Sequence, residues 1–498
     1  MLSFIKNITD SNVESQIEEK PIEEKPIEEK PIEEKPIEEK PIEEKPIEEK
    51  PIEEKPIEEK PIKKEDKSDV KMLNQGTYGC IFRPGVECSS KQLTTKSYIT
   101  KIQKYRQVSN NEVLIGKKIQ KITGHEKYYA PILETCDVSV RDLKNVEEVK
   151  KCDFMKNADE FLDKQYESNK IRYVGKNTLG DYFTQETANV SQIETYFRKM
   201  INIHETVLTG IMKLNDANIM HFDIKENNII CKNKSGRPII IDYGISVDTT
   251  NIASVTEDAR NVFFSYTDTY PSWCLDIVMI NYMVNNSKNA DIKQTSINAW
   301  RDEKASVEST EEVISKYIEN NQGIIDVLTK EEKEKYKVDM IAYYKPLVEG
   351  GMMNIPTRGN VYDELIKYHK SWDNYGVAIT FLMLLHDLKL QEHVSGIPFM
   401  KEYTSIMKEI ILSPPNKRPT AGETIKKMAA SLSRVSRVEQ EKMRKVLTPD
   451  FRNPQNIKER RKKMANVKTE SIKQTLVLNE KKNIQMKRAD AKKTIDVE

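Results

Sequence analysis

The chain has 498 residues, 80 Lys/Arg against 79 Asp/Glu for a formal net charge of +1, and 37% hydrophobic residues. The near-neutral total conceals an acidic head, 23 Asp/Glu against 13 Lys/Arg over residues 1–70, and a basic tail, 19 Lys/Arg against nine Asp/Glu over residues 431–498. No run of about 18 apolar residues marks a membrane span, the opening residues lack the basic and apolar regions of a signal peptide, and six cysteines without C-x-x-C pairs imply reduced thiols in a cytoplasmic, non-secreted protein.

Residues 16–65 are low complexity, with eight copies of Pro-Ile-Glu-Glu-Lys from Pro21 to Lys60. Proline at every fifth position removes helical donors and clashes with the preceding turn, so no continuous helix is expected. One isoleucine per repeat buries too little surface to offset chain entropy. An acidic, disordered spacer is therefore expected over residues 1–70.

Ordered structure is expected from Lys71. Met72 to Phe82 reads as a strand, a glycine turn at Gly76 and Gly79, and a second strand; the glycines let backbone amides approach phosphate oxygens. Ser97–Ile102 has strand alternation with Lys101 near its end, and the segment from Asn110 has helical spacing, with Glu112 in its first turn. A lysine on a strand and a glutamate on the next helix can pair. Further strands are expected at 129–136 and 170–174, giving a small, mostly antiparallel lobe. Ile193 to Leu214 then carries the longest apolar stripe of period 3.6 in the chain, and His204 on it reads as a core histidine.

That helix leads to His221-Phe-Asp-Ile-Lys-Glu-Asn-Asn228, and two short strands, 228–231 and 238–241, lead to Asp242-Tyr-Gly244. Two acids, a lysine and an amide at this spacing suit phosphoryl transfer from a metal-bound nucleotide, since carboxylate and amide oxygens are hard ligands for Mg²⁺. Helices are expected at 273–284 and 361–369, separated by a charged insertion of about 285–370 contributing one or two helices beside the segment that follows Asp242. A buried central helix is expected over 371–385, and the compact domain closes near residue 432.

In order over residues 71–432, these motifs resemble the eukaryotic-type serine/threonine protein kinases, most closely those encoded by giant cytoplasmic DNA viruses. The resemblance implies an α+β, bilobal fold, with a small antiparallel lobe (71–175), a larger helical lobe (176–432), a disordered head and a partly helical basic tail (433–498). It assigns Asn74, Gly76, Thr77, Gly79 and Ile81 to the loop and strand over ATP, Lys101 to the α/β-phosphates and Glu112 to its ion pair. Asp223 would act on the substrate hydroxyl, Lys225 on the γ-phosphate, and Asn228 and Asp242 would hold Mg²⁺. Lys225 follows the serine/threonine pattern, so protein substrates with those hydroxyls are implied.

Four departures stand out. Asn74 replaces the first loop glycine, and Tyr243 replaces a phenylalanine. Phe222 replaces the arginine that grips an activation-loop phosphate, so activity is expected without phosphorylation there. Ser272 and Ser371 stand where a glutamate and an aspartate are expected, so either the correspondence slips or the platform is held otherwise, through Asp276 or the inserted helices. Asn74, Phe222, Ser272 and Ser371 sustain the alternative of a pseudokinase scaffold that binds partners through its tails and insertion. The tail's clusters, such as Lys458-Glu-Arg-Arg-Lys-Lys463, lack interleaved aromatics and imply at most nonspecific contact with nucleic acid or an acidic surface.

Overall fold

The computed structural model describes residues 70–432 except 77–78, 92, 105, 188–192, 233–234, 253–265, 287–296, 306–308 and 351–355. The acidic repeats, the basic tail, Thr77 and part of the turn at 233–236 lie outside the described residues. The chain divides into two units, Met1–Lys64 and Glu65–Glu498, and every described residue belongs to the second.

The N-terminal lobe is a five-stranded antiparallel sheet in the order β1 (Lys71–Gln75), β2 (Gly79–Arg83), β5 (Tyr98–Gln103), β7 (Gln165–Arg172), β6 (Ile132–Ser139). A short hairpin, β3 (Gly85–Val86) with β4 (Thr94–Thr95), interrupts it. Alternation along β5 divides its side chains between two environments. Ile102 joins Cys80, Phe82 and Val138 in a core completed by α2 (Val140–Leu143) and α3 (Val146–Lys150), helices inserted between β6 and β7. Lys101 and Gln103 point the other way, toward α1, Arg106–Ile119. The helix starts before the expected Asn110, so Glu112 lies in its second turn, on the face that also buries Ile115 and Ile119. Polar residues at the true start carry no apolar period, which is why the sequence pattern misses them.

The C-terminal lobe is helical. It contains α4 (Leu179–Thr187) and α5 (Ile193–Asp216), then β8 (Ile219–Met220), the β9–β10 hairpin (Ile229–Cys231 with Pro238–Ile240) and β11 (Val247–Asp248), which pairs with β8. There follow α6 (Leu275–Asn285), α7 (Ile297–Asp302), α8 (Thr310–Asn320), α9 (Gln322–Val327), α10 (Lys330–Val348) and α11 (Arg358–Ile366). Last come α12 (Trp372–Asp387), α13 (Gln391–Val394), α14 (Pro398–Leu412) and α15 (Ala421–Leu432). The α5 stripe is buried as its period requires, and α12, apolar on most faces, is buried along almost its whole length. Among the described residues no helix is long and apolar enough to cross a membrane.

Two expectations are corrected here. The described part of residues 285–370 holds five helices, α7 to α11; α11 answers to the helix expected at 361–369, so the insertion adds four rather than one or two. Tyr336, Met340, Tyr344 and Val348, spaced by four, form the buried stripe of α10 beneath a charged surface that masks it in the sequence. The cysteines are not all reduced thiols: Cys80 pairs with Cys152 and Cys88 with Cys136, while Cys231 and Cys274 are free and buried. Partners 72 and 48 residues apart are brought together by sheet and insertion, and no local spacing announces them.

Candidate active site

The glycine turn joins β1 and β2. The Gly76 amide donates to the Gly79 carbonyl at 2.9 Å, and Gly79 lies so close to β5 that a Cβ there would come within 2.2 Å of the Ile102 carbonyl oxygen. Only glycine fits that approach. Asn74 pairs across the strands with Ile81, and Ile81 in turn with Lys101, so the three lie in one cross-sheet row.

Lys101 is the hub. Its Nζ lies 3.0 and 2.8 Å from the two Glu112 oxygens and 2.9 Å from Asp242 Oδ1. Burial alone would lower the ammonium's pKa, but the carboxylates of Asp242 and Glu112 outweigh it and hold the pKa above the usual lysine range. Burial would likewise raise the Asp242 carboxyl, and the Lys101 charge reverses this to hold it below the usual value. Gln103, two residues beyond Lys101 on the same strand face, also donates to Glu112. Only its period-two relation to Lys101 signals that role in the sequence. Asn111, beside Glu112 on α1, donates to the carbonyls of Gly244 and Ser246 at 3.1 and 2.9 Å. The helix is thereby tied to the chain just past Asp242.

Asp223 and Asn228 occupy the loop between β8 and β9. Asp223 is buried; its Oδ2 accepts from Lys225 Nζ at 3.2 Å, and its backbone carbonyl accepts from Asn228 Nδ2 at 2.9 Å. Its Oδ1 accepts a hydrogen bond from the Tyr270 hydroxyl, a partner the sequence does not disclose. Phe222 and Asp242 both adopt left-handed backbone conformations, φ 66° and 67°, which strain a non-glycine residue by roughly 1–3 kcal/mol. The strain at Phe222 is held by Asp373, whose two oxygens accept from the amides of His221 and Phe222 at 2.6 and 2.8 Å. Trp273 Nε1 donates to the Phe222 carbonyl at 2.9 Å from the other side. Burial pushes the Asp373 pKa up to about 6, partly offset by those two amides.

Asp373 therefore takes the part expected of an aspartate at position 371, two residues on. Ser371 instead donates to the Tyr368 carbonyl at 2.8 Å in the turn before α12. In the same way the partner of Arg418 is Asp276 rather than residue 272. Its carboxylate accepts from Arg418 at 2.9 and 3.0 Å, from Trp372 Nε1 at 2.9 Å and from Tyr344 at 2.8 Å, the last reaching in from inserted α10. Both departures are shifts of position.

The donor set suits a divalent cation. Asn228 spends its NH₂ on the Asp223 carbonyl, leaving its amide oxygen as the acceptor, while Asp242 gives only Oδ1 to Lys101 and its side chain is 34% exposed. One carboxylate and one amide oxygen, with nucleotide phosphates and water completing the shell, match the usual protein contribution to a Mg²⁺ site.

A five-stranded lobe with one spanning helix, a helical lobe, and a loop and hairpin carrying Asp223, Asn228 and Asp242 beside the lysine of the first lobe constitute a bilobal protein-kinase fold. No protein-family model matches the chain, and no curated protein matches it. Among solved structures it is similar to the crystal structure of a Stt7 homolog from Micromonas algae soaked with ATP, at 12% identity and a TM-score of 0.35, over 72% of this chain and 91% of that one.

Proposed function

We propose that this chain is a protein kinase that transfers the γ-phosphoryl group of ATP to serine or threonine hydroxyls of protein substrates. The observation that carries the reading is the Lys101 bridge, with Glu112 on one side and Asp242 on the other. It sets a cation at the floor of the glycine turn and beside the carboxylate best placed to bind metal. ATP with Mg²⁺ supplies the phosphoryl group and part of the charge neutralisation. Lys101 would bind the α/β-phosphates, and Asn228 and Asp242 would hold the metal. Gly76 and Gly79 would let the turn's backbone, with Asn74, Thr77 and Ile81, close over the nucleotide. Asp223 orients the substrate hydroxyl and receives its proton, and Lys225, 3.2 Å from Asp223 Oδ2, places a positive charge where the transferred group carries negative charge.

The scaffold alternative leaned on Ser272 and Ser371. With carboxylates supplied by Asp276 and Asp373, two of its four supports lose their force. Transfer from labelled ATP to a generic protein substrate by wild type and Asp223→Asn tests the reading. A loss of roughly 10²–10⁴-fold is expected if Asp223 accepts the proton; equal transfer by the two proteins, or none by wild type, counts against it.

A further inference from the structure

The residue before Asp223 is Phe222 rather than an arginine, and the end of the segment after Asp242 is firmly held. The ring of Phe222 packs against Trp273 with centroids 4.9 Å apart, and Trp273 meets Tyr270 edge-on at 5.3 Å. Tyr270 is 4% exposed and its hydroxyl donates to Asp223 Oδ1.

What fixes Tyr270 and Trp273 comes from the insertion. Asn321, fully buried between α8 and α9, donates from Nδ2 to the Tyr270 carbonyl at 3.0 Å, while its Oδ1 caps α9 at the Ile324 amide, 3.2 Å away. Tyr317 of α8 donates to the Trp273 carbonyl at 2.9 Å and shares a second hydrogen bond with Tyr375 of α12 at 2.7 Å. Asn320 donates to Asp268 at 2.9 Å. Gly323 lets α9 lie against Pro271, where an added Cβ would come within 3.1 Å of the proline Cβ. At the near end of the segment, Tyr362 of α11 donates to the Ile252 carbonyl at 2.7 Å. Both described ends are thus anchored by neutral side chains of α8 to α11.

We propose that Asn321 and Tyr317 are positioning residues for the phosphotransfer, acting through Tyr270 and Trp273 to orient the Asp223 carboxylate, and that these inserted helices do the ordering for which a loop phosphate and its arginine are otherwise needed. The proposal rests on the kinase reading above. None of these hydrogen bonds is made by a modified residue, so on this proposal the orientation of Asp223 needs no modification.

The test uses the full chain, treated with phosphatase, and measures kcat and KM for ATP with a protein substrate. Tyr270→Phe removes only the hydroxyl; Asn321→Ser keeps a helix-capping oxygen but is too short to reach the Tyr270 carbonyl. Tyr270→Phe should lower kcat roughly ten- to hundredfold with KM for ATP unchanged, because small displacements of a reacting group carry losses of that order. Asn321→Ser should lower kcat less, and the double variant should fall short of the product of the two losses, as coupled residues do. Phosphatase treatment should leave wild-type kcat unchanged. Unchanged or raised kcat in Tyr270→Phe, losses that simply multiply, or inactivation by phosphatase would each overturn the inference while wild-type transfer, lost in Asp223→Asn, leaves the kinase reading standing. Absence of transfer by untreated wild type would remove that reading itself.

Discussion

Arg418 donates to both oxygens of Asp276, at 2.9 and 3.0 Å, and neither side chain is exposed. A buried pair is held for its geometry, since desolvation of two charges absorbs much of their attraction. Here the remaining acceptor capacity of the carboxylate is taken by Trp372 and Tyr344. Asp276→Ala should therefore destabilise the protein by about 3–5 kcal/mol, because it strands a buried guanidinium. Tyr344→Phe, which removes one donor to the carboxylate and leaves the ion pair intact, should cost less, about 1.5–3 kcal/mol. Denaturant unfolding of the two variants measures both; comparable losses would mean that Arg418 is not left uncompensated as the geometry requires.

How much of this was legible from residues alone follows the range over which each signal acts. The stripe of α5, the hairpin before Asp242 and the His221–Asn228 loop are local patterns, and the structure places them where the periods and spacings put them. The anchors of the platform are tertiary. Ser371 and Asp373 are both polar residues at the edge of an apolar run, and only the turn His369–Ser371 ahead of α12 decides which one faces the His221 amide. Asp276 could be preferred to Ser272 only by knowing that α6, α10 and α12 converge on Arg418. Tyr270 follows the same logic, since a residue 47 positions from Asp223 is its partner only once the intervening chain has folded.

The cysteines illustrate the same limit and carry a second prediction. Cys80 lies one residue past the glycine turn, and its bond to Cys152 ties β2 to the inserted α2–α3 region, which also grips β1 through Glu148 and the Met72 amide at 3.0 Å. Closing a loop with a sequence separation of 72 residues restricts the unfolded chain by about 4 kcal/mol in the chain-entropy treatment. The Cys88–Cys136 loop lies within it, so the two effects do not add. Cys152→Ser, which leaves Cys88–Cys136 closed, should lower unfolding stability by no more than about that amount, and reduction, which opens both, should lower it further. The check is unfolding with and without reductant, together with alkylation of the denatured, unreduced protein. Two reactive thiols, Cys231 and Cys274, are expected; six would show that neither disulfide forms.

His204 supplies the pH dependence. It is fully buried on α5, its ring stacks on Phe381 with centroids 4.4 Å apart, and Nδ1 shares a hydrogen bond with the Tyr403 hydroxyl at 2.8 Å. Burial lowers its pKa from 6.5 to about 3, so the native histidine stays neutral under conditions where the unfolded chain binds a proton. Its contribution to stability is complete above pH 6.5, the unfolded value, and is lost as pH falls toward about 3. The loss runs at about 1.4 kcal/mol per pH unit, giving about 2 kcal/mol between pH 7 and 5. Replacing His204 alone would strand the Tyr403 hydroxyl, so the informative variant is His204→Phe with Tyr403→Phe, which removes both partners together. Its loss of unfolding free energy between pH 7 and 5 should be smaller than that of wild type by about 2 kcal/mol. The same loss in both proteins would place the acid sensitivity between pH 7 and 5 in another group; Asp242 acts only at lower pH. Its carboxyl is held below the usual range by Lys101, so it too stabilises the fold above the unfolded carboxyl value and loses that contribution as pH falls through its lowered one. That window lies below pH 4 for a carboxyl whose ordinary value is 3.8, which separates it from the histidine effect.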